Sequence, residues 1–248
     1  MLDLLHRITQ CGSVAEVWDI QTDYMTDKGF DRILYAATHF KTSSGAGDIK
    51  DALILTNYPK EFTDVYVDGG LFRDAPVVRW AMRETGSISW RAIEGQARNG
   101  ELTEAEMKVV AFNKRVGVGA GYAVSFPRSS LRSGFGIGLG STRLTQMEVD
   151  DLWAREGREI ELVAHVCHLK IIALPHTDHI RVLTDRQREV LELVADGKTI
   201  QDVAILLERN PATVEKHLRL ARDALDVETT AQAILKLSLQ HQFFTISG

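Results

Sequence analysis

The stretch LTDRQREVLELVADGKTIQDVAILLERNPATVEKHLRLARDAL, running from Leu183 to Leu225, constrains this chain more than any other. Thr184 followed three places later by Gln187 is a capping box, and Val190, Leu191 and Val194 fall on one face behind it, so a helix runs to about Ala195. Gly197 stops it. Thr199 with Asp202 restarts the chain as a short helix that turns Val203, Ala204 and Leu207 inward, and Ala204 is small enough for another helix to cross closely. Asn210 is a good N-cap and Pro211 suits a first helical turn, so a third helix begins there and buries Val214, Leu218, Ala221 and Leu225. Two helices joined by a short turn make a helix-turn-helix.

The outward face of the third helix carries Arg209, Lys216, Arg219 and Arg222 against one acid, Glu215. Such a face suits major-groove docking, because phosphate neutralisation supplies much of the affinity there. Glu215, Lys216 and Arg219 point where base edges would lie, with Ala212 and Thr213 near the helix start; Arg and Lys donate to guanine, and Glu accepts from cytosine. Thr199 on the preceding helix completes the expected DNA-contacting set. The alternative is a four-helix module whose basic face is merely solvated; caps and charge together are the more specific signal.

With 248 residues, 44% of them apolar and 25% charged, the chain has room for one large or two modest domains. Its net charge of −5 argues against indiscriminate nucleic-acid binding, so any DNA contact must rest on local charge. Cys11 and Cys167 lie far apart, which speaks against a disulfide framework and for a reducing cytoplasm. No signal-peptide pattern and no apolar run long enough to span a membrane occur, so no membrane partner is expected.

Two helices open the chain, one ending near Gly12 and one from the Ser13/Glu16 capping box to about Lys28. A strand is expected over Phe30 to Thr42, a loop at 43–47, and a second strand over Ala52 to Thr56. Helices follow at Glu61 to Asp68 and Ala75 to Glu84, with a loop into Trp90, and another helix runs from Thr103 to about Val116. Gly121 to Phe126 and Gly134 to Leu139 alternate as paired strands do. The GFGIGLG run lacks a Walker ending and a βαβ setting, so a glycine-rich strand that admits close packing is expected rather than a phosphate loop. The longest helix runs from Thr145 to about Ala173, with Gly157 marking a kink. The expected architecture is helices flanking a sheet of at least four strands over 1–173, a linker at 174–182, and an all-helical reader over 183–248.

Chemistry beyond DNA binding has thin support. His165, Cys167 and His168, with His176 and His179, offer metal ligands in principle; on a helix 165 and 168 share a face while 167 points away, so no metal site is expected. No nucleophile elbow appears, no cofactor is expected, and an enzyme is disfavoured. Tyr58, Phe62 and Tyr66 lie four apart on one helical face, followed by Phe72, Trp80 and Trp90, and the strands nearby are rich in Gly and Ala. Large rings facing small residues either wall a cavity for an amphipathic molecule or form a packed aromatic core.

The run from Leu183-Thr184 through Glu189-Val190-Leu191, Gly197-Lys198-Thr199 and Thr213-Val214-Glu215 to His217-Leu218 resembles the LuxR-type, GerE-like DNA-binding domain over about the last 65 residues. Gln187, Ile200 and Asn210 depart from its usual residues, yet Gln187 and Asn210 still satisfy the caps. Tyr58-Pro59, Tyr66, Pro76-Val77-Val78, Trp90, Gly117 and Gly121 resemble the autoinducer-binding domain of LuxR-type quorum-sensing regulators over about residues 10–165.

That resemblance implies an α+β chain: an α-β-α sandwich that senses a small hydrophobic signal and dimerises, followed by a four-helix reader of an inverted repeat in double-stranded DNA, with RNA polymerase a further partner. It places Tyr58, Phe62, Tyr66, Ala75, Val77 and Trp90, with Ala36 and Thr38, around the ligand. The family's tryptophan donor falls on Phe62 and its aspartate acceptor on Ala75, while a proline near the glycine turn is replaced by Ser125. Losing one charge-assisted and one neutral hydrogen bond removes about 2–4 kcal/mol, enough to change the class of ligand from a standard N-acyl-homoserine lactone. A ligand-independent regulator, a heterodimerising anti-activator and an enzyme acting on a lipid or lactone stay open as alternatives.

Overall fold

The computed structural model describes residues 1–41, 47–128, 130–175, 183–241 and 243. It divides into two compact units, Met1–Ile172 and Ala173–Gly248. In the first, α1 (Leu2–Gln10) and α2 (Val14–Asp27) precede a five-stranded sheet, and the Ser13/Glu16 capping box starts α2. The strands are β1 (Arg32–Thr38), β2 (Ala52–Thr56), β3 (Gly86–Ser89), β4 (Ala120–Ser125) and β5 (Gly134–Ser141). They lie in the order β2-β1-β5-β4-β3 with every neighbouring pair antiparallel. Between β2 and β3 come α3 (Lys60–Thr63), a wider helical turn over Asp64–Asp68, a 3-10 turn over Leu71–Asp74, and α4 (Pro76–Ala81). After β3 come α5 (Trp90–Arg98) and α6 (Glu104–Arg115), and after β5 the long α7 (Gln146–Ala173).

Alternation along the strands divides the unit into layers. From β1 and β5, Ile33, Tyr35, Ala37, Phe135, Ile137 and Leu139 are buried. On the α7 side, Tyr122 of β4 stacks on Trp153 with ring centroids 4.0 Å apart, and Tyr35 Oη meets His168 Nδ1 at 2.9 Å. The opposite face of β5 carries Gly134, Gly136, Gly138 and Gly140 at every second place, and α3 to α6 cover that side. The α-β-α sandwich is therefore present, and the glycine run is a strand.

Several expectations need correction. The segment before Trp90 is not a loop: four residues pair with β4 as the sheet's edge strand, and Trp90 then opens a helix that Ser89 caps by accepting from Arg91 N–H. The helix expected from Ala75 to Glu84 is shorter, with Ala75 as its N-cap. Helix α7 runs unbroken through Gly157. A Cβ there would lie 2.7 Å from the Trp153 ring, so the glycine makes room for the indole. Cys167 and His168 are both buried. His176, His179 and most of the linker lie outside the described residues.

The second unit consists of α8 (Asp185–Ala195), α9 (Ile200–Leu206), α10 (Pro211–Leu225) and α11 (Thr230–Leu239). Capping boxes at Thr184/Gln187, Thr199/Asp202 and Thr229/Gln232 start three of them, and Asn210 Oδ1 accepts from Thr213 N–H at the fourth. Gly197 takes the left-handed conformation, φ +85°, that ends α8. Val190, Leu191, Val203, Val214, Leu218, Ala221, Leu225 and Leu237 form the core. Buried Lys236 donates from Nζ to Leu225 O at 2.9 Å, placing a cation on the C-terminal carbonyls of α10.

Candidate ligand cavity and nucleic-acid interface

Two faces carry the candidate chemistry, one in each unit. In the first, a cavity of about 160 Å³ lies between the glycine face of the sheet and the covering helices. Tyr58, Phe62, Tyr66, Ala75, Val77, Trp90 and Ala36 all line it, so seven of the eight residues expected around a ligand are brought together. Thr38 lines instead a smaller void of about 60 Å³ over β1 and β2. The three rings spaced four apart form a continuous stack: Tyr58 to Phe62 at 4.0 Å and Phe62 to Tyr66 at 4.9 Å between centroids, both tilted by 23°.

The strand glycines explain why this stack leaves a void. A Cβ on Gly140 would meet Val118 at 2.8 Å and Tyr58 Oη at 3.0 Å, and one on Gly121 would strike the Trp90 ring at 2.9 Å. At Gly138 the nearest atom would be Leu34 O at 3.9 Å, so there the absent side chain is the space itself. Cavity and aromatic core are thus both present: the rings pack on one another, and the missing strand side chains hold the hollow open.

The polar character of the site is sparse. Burial pushes the Tyr58 and Tyr66 hydroxyls well above the usual phenol range, so both stay protonated. The indole N–H of Trp90 is buried and has no hydrogen-bond partner among the described residues. Ala75 is 1% exposed and brings only a methyl to the wall, whereas Asp74 beside it is exposed. Ser125 Oγ sits 2.9 Å from Ala81 O and 2.8 Å from Glu84 O, fastening the end of α4 to β4. Glu94, Asn113 and Lys114 of α5 and α6 also line the cavity. Sequence reasoning missed them with Met82, Ile93 and Val109, because nothing local in α5 or α6 marks a residue that faces a void. No group of three or more His, Cys, Asp or Glu able to hold a metal occurs among the described residues.

In the second unit Lys216, Glu215, Ala212 and Arg209 are exposed on or beside α10, opposite the packed Val214 and Leu218. Arg219 is exposed as well and meets Asp223 one turn on at 3.3 Å. Thr213 is half-buried with its hydroxyl 2.9 Å from Asn210 Oδ1, and Thr199 is exposed at the α9 cap. Arg222 differs from the others: half-buried, it donates from Nη1 to Thr230 Oγ1 at 3.0 Å and so braces α10 against α11.

Residues 13–171 match the family described as autoinducer binding domain, and residues 179–225 match that described as sigma-70, region 4. The transcriptional activator protein LuxR of Aliivibrio fischeri is 27% identical over 191 residues, covering 76% of this chain and 74% of that protein. In fold, the chain is similar to Escherichia coli SdiA (TM-score 0.55, 15% identity, covering 98% of this chain and 97% of that one). SdiA in complex with octanoyl-rac-glycerol gives a TM-score of 0.56 at 15% identity, covering 96% of this chain and 93% of that one. The chain belongs to the autoinducer-binding-domain family and, with its helix-turn-helix, is a LuxR-family DNA-binding transcription regulator. Regulators of this type bind DNA and small autoinducer-like ligands. Among the described residues no helix is long and apolar enough to cross a membrane.

Proposed function

We propose that this regulator binds an inverted-repeat DNA site as a homodimer and that a neutral, largely apolar small molecule in the sandwich cavity controls it. On this reading residues 1–173 sense and dimerise, 174–182 link, and 183–248 read DNA in the cytoplasm and meet RNA polymerase. The observation that carries it is the disposition of α10, with Lys216 and Arg219 exposed on one side and Val214 and Leu218 fastened into the core on the other. Lys216, Arg219, Glu215 and Ala212 meet the duplex, Thr213 and Thr199 flank them, and Arg222 acts by holding α10 in place. Two symmetric copies double the phosphate and base contacts and require a palindromic site.

The ligand reading rests on the hollow under β5 and on its donors, Tyr58, Tyr66 and Trp90. With Phe62 and Ala75 where the family has a tryptophan and an aspartate, a standard acyl-homoserine lactone loses two anchors, so the signal is another hydrophobic molecule. The octanoyl-rac-glycerol complex of SdiA supports an acyl amphiphile as that class. Gly138→Val tests the site, because the added side chain enters the void where only Leu34 O lies within 4 Å. The wild-type chain should melt higher with 1-octanoylglycerol, and by less with N-octanoyl-homoserine lactone, which lacks two of its anchors here; a ligand at 100 times its Kd adds about 2.7 kcal/mol. The variant should fold and show no shift. Equal shifts in both proteins would remove the cavity from the account.

A further inference from the structure

The larger cavity and the smaller void share a wall of Leu34, Ala36, Tyr66, Val78 and Met82. Strand order fixes their direction. The smaller void takes its sheet residues from β2 and β1, with Gly134 at the start of β5, and the larger takes its own from β1, β5 and β4, so the two lie end to end across the strands. Among the described residues the smaller one is lined mainly by apolar side chains, Ile49, Ala52, Ile54, Val67 and Phe72 among them, with Thr38 and Asp48 also at its wall. On the other side Glu94, Asn113 and Lys114 bring donors and acceptors of both charges to the larger cavity.

Size decides what must happen at the shared wall. About 160 Å³ is close to the engineered cavity of about 150 Å³ that takes one benzene, so a longer apolar chain outgrows it, and the smaller void is the adjoining apolar space. Of the five shared residues, Met82 alone is a long, unbranched, adaptable side chain. Tyr66 is held in the ring stack. The backbone at Met82 is fixed, since its carbonyl accepts from Lys41 Nζ at 2.6 Å and from Arg128 Nη1. Its thioether lies where a Cβ on Gly134 would come within 2.9 Å of Sδ, so the glycine is its seat against the sheet.

We infer that Met82 is a gate setting the length of a single-chain amphiphile, whose tail runs from the larger cavity into the void over β1 and β2 while its hydroxyl-bearing head stays beside Glu94, Asn113 and Lys114. The inference rests on the cavity being the signal site, as proposed above. A tail that ends short of Met82 leaves the thioether against Gly134; a longer one displaces it. Each methylene that gains a place in the apolar void strengthens binding about fourfold. Chain-length preference is therefore fixed by the volume of residue 82 and by the room at residue 134.

The test is the affinity of the full-length protein for 1-monoacylglycerols of increasing saturated chain length, in the wild type, Met82→Ala, Met82→Phe and Gly134→Ala. Wild-type affinity should rise about fourfold per methylene and then level off. Met82→Ala should prolong the rise by at least two carbons, and Met82→Phe and Gly134→Ala should end it sooner, with the shortest members bound alike by all four. Met82→Leu, which keeps the volume, should keep the wild-type profile and shows that the position tolerates change. The same plateau in every variant overturns the gate while leaving the cavity a signal site. Failure of every monoacylglycerol to bind the wild type and Met82→Ala overturns the amphiphile; the lactone melting experiment with Gly138→Val then judges the signal site separately.

Discussion

On the proposed reading, Arg219 divides its charge between Asp223 and DNA. At 3.3 Å and half-exposed, the pair contributes little to stability but holds the guanidinium beside an acid that would face the phosphates. Arg219→Ala should weaken specific binding by about 1–3 kcal/mol and Asp223→Ala should strengthen it, both read from fluorescence titration at one salt concentration. A change of the same sign in the two variants would mean that Asp223 positions Arg219 on the DNA. His168 makes a second case. Burial pushes its pKa down to about 3, with His165 and His39 adding to the effect, so the folded chain refuses a proton that an unfolded histidine accepts near 6.5. Stability contributed by this group is complete above about pH 6.5 and falls as pH drops toward 3, at up to about 1.4 kcal/mol per pH unit. Replacing both members of its hydrogen bond, Tyr35→Phe with His168→Phe, should flatten urea midpoints between pH 6.5 and 5; an unchanged slope would assign the effect elsewhere. None of this was legible in the sequence, where His165, Cys167 and His168 read only as a poor metal site. The burial of His168 comes from β1 and β5 packing on α7, which no local pattern records.

At the scale of elements, what the sequence told was whatever depends on a few neighbouring residues. The boxes at Ser13, Thr103, Thr184 and Thr199 each start a helix where the hydroxyl and the third residue predict one. The edge strand β3 and the helix α5 escaped because GSIS is short and polar and because α5 has Gly95 in its middle and no fully buried residue. Tertiary bonds hold them: Asp150 of α7 accepts from Ser89 Oγ at 2.6 Å, from Gln146 Nε2 at 2.9 Å and from the Arg91 guanidinium. The same contrast gives Gly157 a second role. Helix propensity marks it as a weak point, yet it is buried beneath the Trp153 indole, which stacks on Tyr122 and meets Phe30 edge-on. Gly157→Val should therefore destabilise by about 1–3 kcal/mol through overpacking, although most residues favour a helix more than glycine does. A urea midpoint raised above the wild type would restore the simpler propensity argument.

For the whole molecule, the division of labour is visible in the distribution of charge. The chain carries a net −5, while α10 gathers Lys216, Arg219 and Arg222 within two turns. Binding to DNA must then be local and strongly dependent on salt. The cavity was legible as a set of rings and glycines but not as a shape. Tyr58, Phe62, Tyr66 and Trp90 were found by spacing and resemblance, whereas Met82, Glu94, Asn113 and Lys114 join them only when the helices close over the sheet. The reader was legible almost throughout, since its caps, turn and apolar stripe all lie within one continuous segment. The most direct measurement is selection of the full-length protein against a pool of random duplexes, followed by titration of the winner against salt with the wild type and Lys216→Ala/Arg219→Ala. Enrichment of an inverted repeat, with the double variant losing affinity for it and about two units of salt slope, is the expected result. A pool that stays random, or a winner bound equally by both proteins, would contradict the claim that the outer face of α10 reads DNA.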